Sequence, residues 1–325
     1  MEGATLRQIS LLGKRCLDRL ALNMQTANIT DEFSRTSVAA KPRVAMEWLW
    51  SMVEAPNLMA LDAPIVAIVW QTWLSTSFLD QPIPLVHVLL FVTVWLIYIA
   101  DRLLDCRRLD FQLEVTPRHQ FVNKWRWTLW PIWFGTFIVN CILAVLLIDI
   151  FLVIAGAILF GTVLLYGWMV HGHRTVGQWL PKEFFVAGLF SLGVCLPILV
   201  VKITTSTLVL TTLLTWLFLL NCFCVAAAQH KSDGLQNVGS AIRLFPTLCA
   251  RIPLLAFLLI ASAIVANYAA LVSFPITVAI SISSIGLMVL AYLIDRNDDW
   301  RTRTRYALFA DYALLSPPVG WILFG

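Results

Sequence analysis

The chain has 325 residues, 59% of them hydrophobic and 13% charged, with a mean hydropathy of +0.80. Soluble proteins carry about 25% charged residues, so this composition excludes a water-soluble globular protein and defines an integral membrane protein. The net charge of +4 is small, and no nucleic-acid partner is expected.

Residues 1–58 are expected to form a cytoplasmic tail. They hold no uncharged apolar core long enough for a signal peptide. Leu6 to Met24 place apolar residues at helical spacing with Lys14, Arg15 and Arg19 between them, the pattern of a helix lying on a membrane surface, with an irregular tail as the alternative.

From residue 59 to 325 the chain is read as one all-α transmembrane domain. Apolar runs bounded by charge or proline predict nine spans near 59–79, 84–104, 128–148, 150–170, 184–201, 207–229, 252–272, 275–294 and 307–324. The third and fourth are separated only by Asp149, and the seventh and eighth only by a Ser-Phe-Pro turn, so both pairs read as tight hairpins. All lysines and arginines except Lys202 fall in the tail or in the loops after even-numbered spans. Positive charge is retained on the cytoplasmic side, which predicts a cytoplasmic N-terminus, an external C-terminus and a bacterial inner (cytoplasmic) membrane location. The seven cysteines are odd in number and sit mostly in apolar runs, so they read as packing residues and not as a disulfide framework.

Unusual polar residues collect at the cytoplasmic helix ends. The second span closes as Tyr98-Ile-Ala-Asp101-Arg102-Leu-Leu-Asp105. Asp101 and Asp105 lie one turn apart on one helix face, a pair suited either to magnesium shared with a substrate phosphate or to interfacial ion pairing. The sixth span closes as Gln229-His230-Lys231-Ser-Asp233-Gly234 on the same side, so a cavity between the two ends could hold a metal-bound anion. The same sequence could also simply begin a loop. Thr116-Pro117-Arg118-His119 follows the first pair, and His171-Gly-His173-Arg174 precedes the fifth span. The two histidines could chelate zinc, but no third ligand of recognised spacing follows; phosphate contacts by His, Arg and Lys suit these segments better. Asp62 and Asp311 lie within spans, where ionisable groups face a protein interior or a wet cavity.

This pattern resembles the UbiA superfamily of intramembrane prenyltransferases over residues 59 to 325. Family members carry N-D-x-x-D-x-x-x-D at the end of the second helix and D-x-x-x-D at the end of the sixth. Here the first motif is present as Ile97-Tyr98-Ile99-Ala100-Asp101-Arg102-Leu103-Leu104-Asp105, with Ile97-Tyr98 in place of its opening Asn-Asp, and the second as His230 with Asp233. Thr116-Pro117-Arg118 and His173-Arg174 resemble the basic segments that follow the first motif and precede the fifth helix. The resemblance implies nine helices around a central cavity and transfer of an isoprenoid from a prenyl diphosphate to a lipid-soluble acceptor among membrane lipids, an aromatic one being a candidate, with no particular protein partner indicated. It further implies Mg²⁺ on Asp101, Asp105 and Asp233 as catalytic metal ligands, with Arg102, Arg118, His119, Arg174, His230 and Lys231 on the substrate. A relative of the fold without catalysis, binding a lipid, isoprenoid or pigment or serving as a subunit of a membrane complex, is the alternative. A transporter coupled through Asp62 and Asp311 is the third reading.

Overall fold

Prolines open several of the helices, since the first turn needs no N–H from them. In a computed structural model that describes residues 52–79, 83–112, 115–172, 182–235, 239–297 and 299–324, the elements are α1 (Asp62–Phe78), α2 (Pro84–Asp105), α3 (Pro117–Leu147), α4 (Ile150–Gly172), α5 (Lys182–Val201), α6 (Thr205–Leu235), the single turn α7 (Ala241–Leu244), α8 (Leu248–Tyr268), α9 (Phe274–Asp295), α10 (Trp300–Ala313) and α11 (Pro317–Phe324). Among the described residues there is no strand. The bundle occupies residues 56–325. The expected surface helix over residues 6–24 lies outside the described residues.

Seven described helices, α2 to α6, α8 and α9, are long and apolar enough to cross a bilayer. The predicted first and ninth spans differ from simple crossings. α1 has only 17 residues and follows a break at Met59–Leu61, where Ala60 adopts a left-handed φ of 57°. The predicted ninth span divides into α10 and α11 around Ser316-Pro317-Pro318, because two successive prolines supply no N–H for the i to i−4 ladder. Both predicted hairpins are present. Asp149 Oδ1 accepts from Phe151 N at 2.9 Å at the start of α4, and Ala270, with φ 55°, turns the chain between α8 and α9.

Helix α6 is the hub, packing on α5, α8, α9 and α10. Its inward face runs through Leu210, Leu214, Leu217, Leu220 and Cys224, all fully buried. Lipid tails are as apolar as leucine, so association inside a bilayer relies on close packing and interhelical hydrogen bonds. Gly286 on α9 has that function: a Cβ there would stand 3.1 Å from Ala313 Cβ on α10. The break between α10 and α11 is stitched similarly. Ser283 Oγ donates to Ser316 Oγ at 2.8 Å, Ser316 donates to Ala279 O at 2.8 Å, and Trp70 Nε1 donates to Leu314 O at 2.9 Å.

Helices α3 and α4 have no buried residue in their most apolar stretches, which is the surface expected against lipid. Near the start of α3, Lys124 and Arg126 lie over the rings of Trp125 and Trp127. This cation–aromatic belt fits a membrane–water boundary and matches the predicted onset of the span at 128.

Candidate functional site

The last turn of α2 carries Asp101, Arg102 and Asp105 on neighbouring faces, so one helix end serves different neighbours. Asp101 is exposed and Asp105 half-buried. Asp105 Oδ2 lies 3.6 Å from Nε2 of His119 at the start of α3. Nδ1 of that imidazole is 2.7 Å from Thr116 Oγ1, so Thr116 fixes the ring that faces the carboxylate. Proline at position 117 sets this local geometry, since it starts α3 and leaves Thr116 extended just before it.

Arg118, the next residue along, reaches across to α6: its Nη2 donates to Gln229 Oε1 at 3.0 Å. Asp233, one turn beyond Gln229, lies within the electrostatic range of Lys182, Arg118, Asp105 and His230. Burial pushes the Asp233 carboxyl above the ordinary carboxylate range, while Lys182 and Arg118 pull it back. Lys182, the first residue of α5, faces the charges of Asp233, Asp105, Asp101 and Glu183. Carboxylates from the α2 and α6 ends therefore lie within electrostatic range of the same cation.

Arg102 is placed differently. It is buried, and Nη1 donates to Asn57 O at 2.6 Å and to Leu58 O at 3.3 Å. These carbonyls belong to the turn just before the α1 break, where Asn57 O also accepts from Ala60 N at 3.1 Å, so Arg102 ties α2 to the start of α1. His230 and Lys231 are exposed on the last turns of α6. His173 and Arg174 lie outside the described residues, and nothing is described of the side chain of His171.

Deeper in the bundle, a narrow cavity opens between α1, α2, α5, α6 and α10. Tyr98, Asn221 and Asp311 line it together with Phe190 and Phe218. Tyr98 stands one residue beyond the Ile97 that replaces the motif's opening Asn, about 10 Å along α2 from Asp105 at 1.5 Å per residue. The cavity therefore lies on the membrane side of the charged mouth. The sequence reading included Lys182 only within a basic loop suited to phosphate contacts and missed Gln229 and Asn221 as members of this region; Asn221, an amide inside the apolar run 207–229, was the available signal.

Among the described residues no group of three or more His, Cys, Asp and Glu side chains forms a metal cage. The oxygen donors at the mouth nevertheless suit magnesium in kind, because that ion binds through one or two carboxylates and completes its shell with water and substrate phosphate.

No protein-family model matches the chain, and no curated protein matches it significantly. Among solved structures, the apo structure of a UbiA homologue from Aeropyrum pernix K1 matches 81% of this chain and 98% of its own, with a TM-score of 0.55 at 11% identity. A structure of a digeranylgeranylglyceryl phosphate synthase matches 84% of this chain and 96% of its own, with a TM-score of 0.49 at 14% identity. The fold thus defines the class: this is an integral membrane protein with the UbiA fold.

Proposed function

We propose that the chain is a membrane prenyltransferase whose mouth binds a prenyl diphosphate and whose cavity receives the apolar tail and a lipid-soluble acceptor. The observation that carries this reading is the bond from Arg118 at the start of α3 across to Gln229 near the end of α6, supported by Asp101, Asp105 and Asp233 all lying within electrostatic range of Lys182. A bilayer tolerates opposed polar helix ends where they share something polar.

In this reading Asp101, Asp105 and Asp233 hold Mg²⁺, which supplies charge neutralisation to the diphosphate as it departs. Arg118, Lys182, His230, Lys231 and Arg174 contribute positive charge and hydrogen-bond donors to the same anion, whereas the ring nitrogens of His119 face Asp105 and Thr116. His119 positions Asp105 through its link to Thr116. The apolar walls of Phe190 and Phe218 exclude water from the allylic cation that the departing diphosphate leaves behind. The segregation of basic residues supports a cytoplasmic mouth.

The test is transfer of a radiolabelled geranylgeranyl group from its diphosphate to a panel of acceptors, with Asp105→Asn as control. Magnesium-dependent product lost in that variant supports the reading. Absence of transfer to any acceptor, with a prenyl lipid retained independently of metal, would replace it with a non-catalytic lipid-binding protein.

A further inference from the structure

The lipid-facing side of the bundle carries a basic notch that the mouth does not use. At the end of α2, Arg107 and Arg108 are both exposed but serve different neighbours. Arg108 Nη1 donates to Val170 O on α4 at 3.1 Å, whereas Arg107 crosses to α3, with its Cζ 5.5 Å from the centroid of the Trp130 ring. Arg126 stands one turn before Trp130 and hence on the same face of α3. Its Cζ lies 5.3 Å from the Trp127 ring, and it is within electrostatic range of Cys106, the residue beside Arg107. Two guanidinium groups from two helices therefore meet along the seam around the half-buried Trp130. Lys124, by contrast, is rotated by about 200° from Arg126 and belongs to another face. Among the described residues neither Arg107 nor Arg126 forms an ion pair.

The ring in this notch is held in place. Trp133 Nε1 donates to Leu96 O on α2 at 2.8 Å, Trp130 packs edge-on against Trp133 with centroids 6.1 Å apart, and Phe134 stacks on Trp130 at 5.7 Å. From there a ridge at i+4 spacing continues along α3 through Phe134, Ile138 and Ile142, all exposed. From Trp130 to Ile142 it runs about 18 Å at 1.5 Å per residue, close to the ~15 Å of hydrocarbon in one leaflet.

A pair of cations above an apolar ridge of leaflet length fits an amphiphile with an anionic head. A guanidinium held over a ring still presents its in-plane N–H groups, which match phosphate oxygens. A second protein helix fits less well, since close association in a bilayer uses small residues and this ridge is built of tryptophan, phenylalanine and isoleucine. We propose that Arg107, Arg126 and Trp130 bind the head of one anionic phospholipid, its phosphate between the two guanidinium groups and one acyl chain along the α3 ridge. None of the residues assigned to the diphosphate takes part, so the site stands whether or not the chain is a transferase.

Native mass spectrometry of the full-length chain in detergent, titrated separately with dioleoyl phosphatidylglycerol and dioleoyl phosphatidylcholine, tests this site, because the two lipids differ only in the head group. One phosphatidylglycerol is expected to bind at least about tenfold more tightly than phosphatidylcholine, as two basic residues at an anionic surface allow. The double variant Arg107→Gln/Arg126→Gln should lose that preference. A charge-matched control, Lys202→Gln/Arg251→Gln, removes two exposed basic residues elsewhere and should keep it. Equal retention of the two lipids by the wild-type chain, or an equal loss of preference in the control, overturns the proposal. Photocrosslinking of the wild-type chain with a phosphatidylglycerol carrying a diazirine on one acyl chain tests the same site without any variant. Crosslinks are expected to concentrate on residues 130–142, and labelling spread evenly over the lipid-facing helices also overturns it.

Discussion

Arg118 Nη2 donates to Gln229 Oε1 at 3.0 Å, joining the first turn of α3 to the last turns of α6 across 111 residues of sequence. Because His119 on the same first turn of α3 faces Asp105 at 3.6 Å, this bond links the end of α2 to the end of α6 through α3. A hydrogen bond to a charged donor contributes about 1.5–3 kcal/mol. A double-mutant cycle of Arg118→Met and Gln229→Leu on thermal unfolding is expected to return a coupling of about 1.5 kcal/mol. Additive effects would mean that the two helix ends are held by other contacts.

Arg102→Met leaves the Asn57 and Leu58 carbonyls without their shared donor. The expected result is a loss of about 2–3 kcal/mol of stability, with transfer per folded molecule changed much less than in Arg118→Met. A collapse of transfer in Arg102→Met at unchanged melting temperature would place Arg102 on the substrate after all.

His230→Asp adds a carboxylate three residues before Asp233, beside Gln229, which occupies the opening position of a D-x-x-x-D register ending at Asp233. An oxygen donor suits magnesium better than an imidazole nitrogen. The variant is expected to reach half-maximal activity at a lower magnesium concentration, or to turn over faster. An unchanged magnesium titration would separate His230 from the metal.

An epitope inserted after Lys202, between α5 and α6, should bind antibody on intact spheroplasts, and one inserted after Arg108 only after the spheroplasts are permeabilised. This follows from the segregation of basic residues to the loops after even-numbered spans. The reverse pattern would invert the membrane orientation.

Helix content, both hairpins and the crossings from α2 to α9 were legible in the sequence because hydropathy reports directly on a bilayer's demand for satisfied backbone groups. The broken ends were harder to see. Apolar composition continues through Ser316-Pro317-Pro318 and through Ala60, so hydropathy alone reads straight spans where proline and a left-handed residue interrupt the ladder. Counting spans puts Asp105 and Asp233 at helix ends on the same expected side, and the two lie within electrostatic range of each other. The direction of Arg102 did not, because one helical residue of offset from Asp101 turns a side chain by about 100°, toward α1 in this case. Lys182 was visible in sequence as a loop residue; its position opposite three carboxylates depends on how α5 packs on α6.

The central claim is that the ends of α2 and α6 act together on one magnesium-bound diphosphate. It is tested most directly by binding of a non-hydrolysable geranylgeranyl thiodiphosphate to the wild-type chain, Asp105→Asn and Asp233→Asn across a magnesium titration. Each substitution is expected to weaken magnesium-dependent binding by about tenfold or more, and the double variant to lose little beyond either alone, since both carboxylates serve one ligand. Binding that is independent of magnesium, or that is unaffected by Asp233→Asn, would contradict the account.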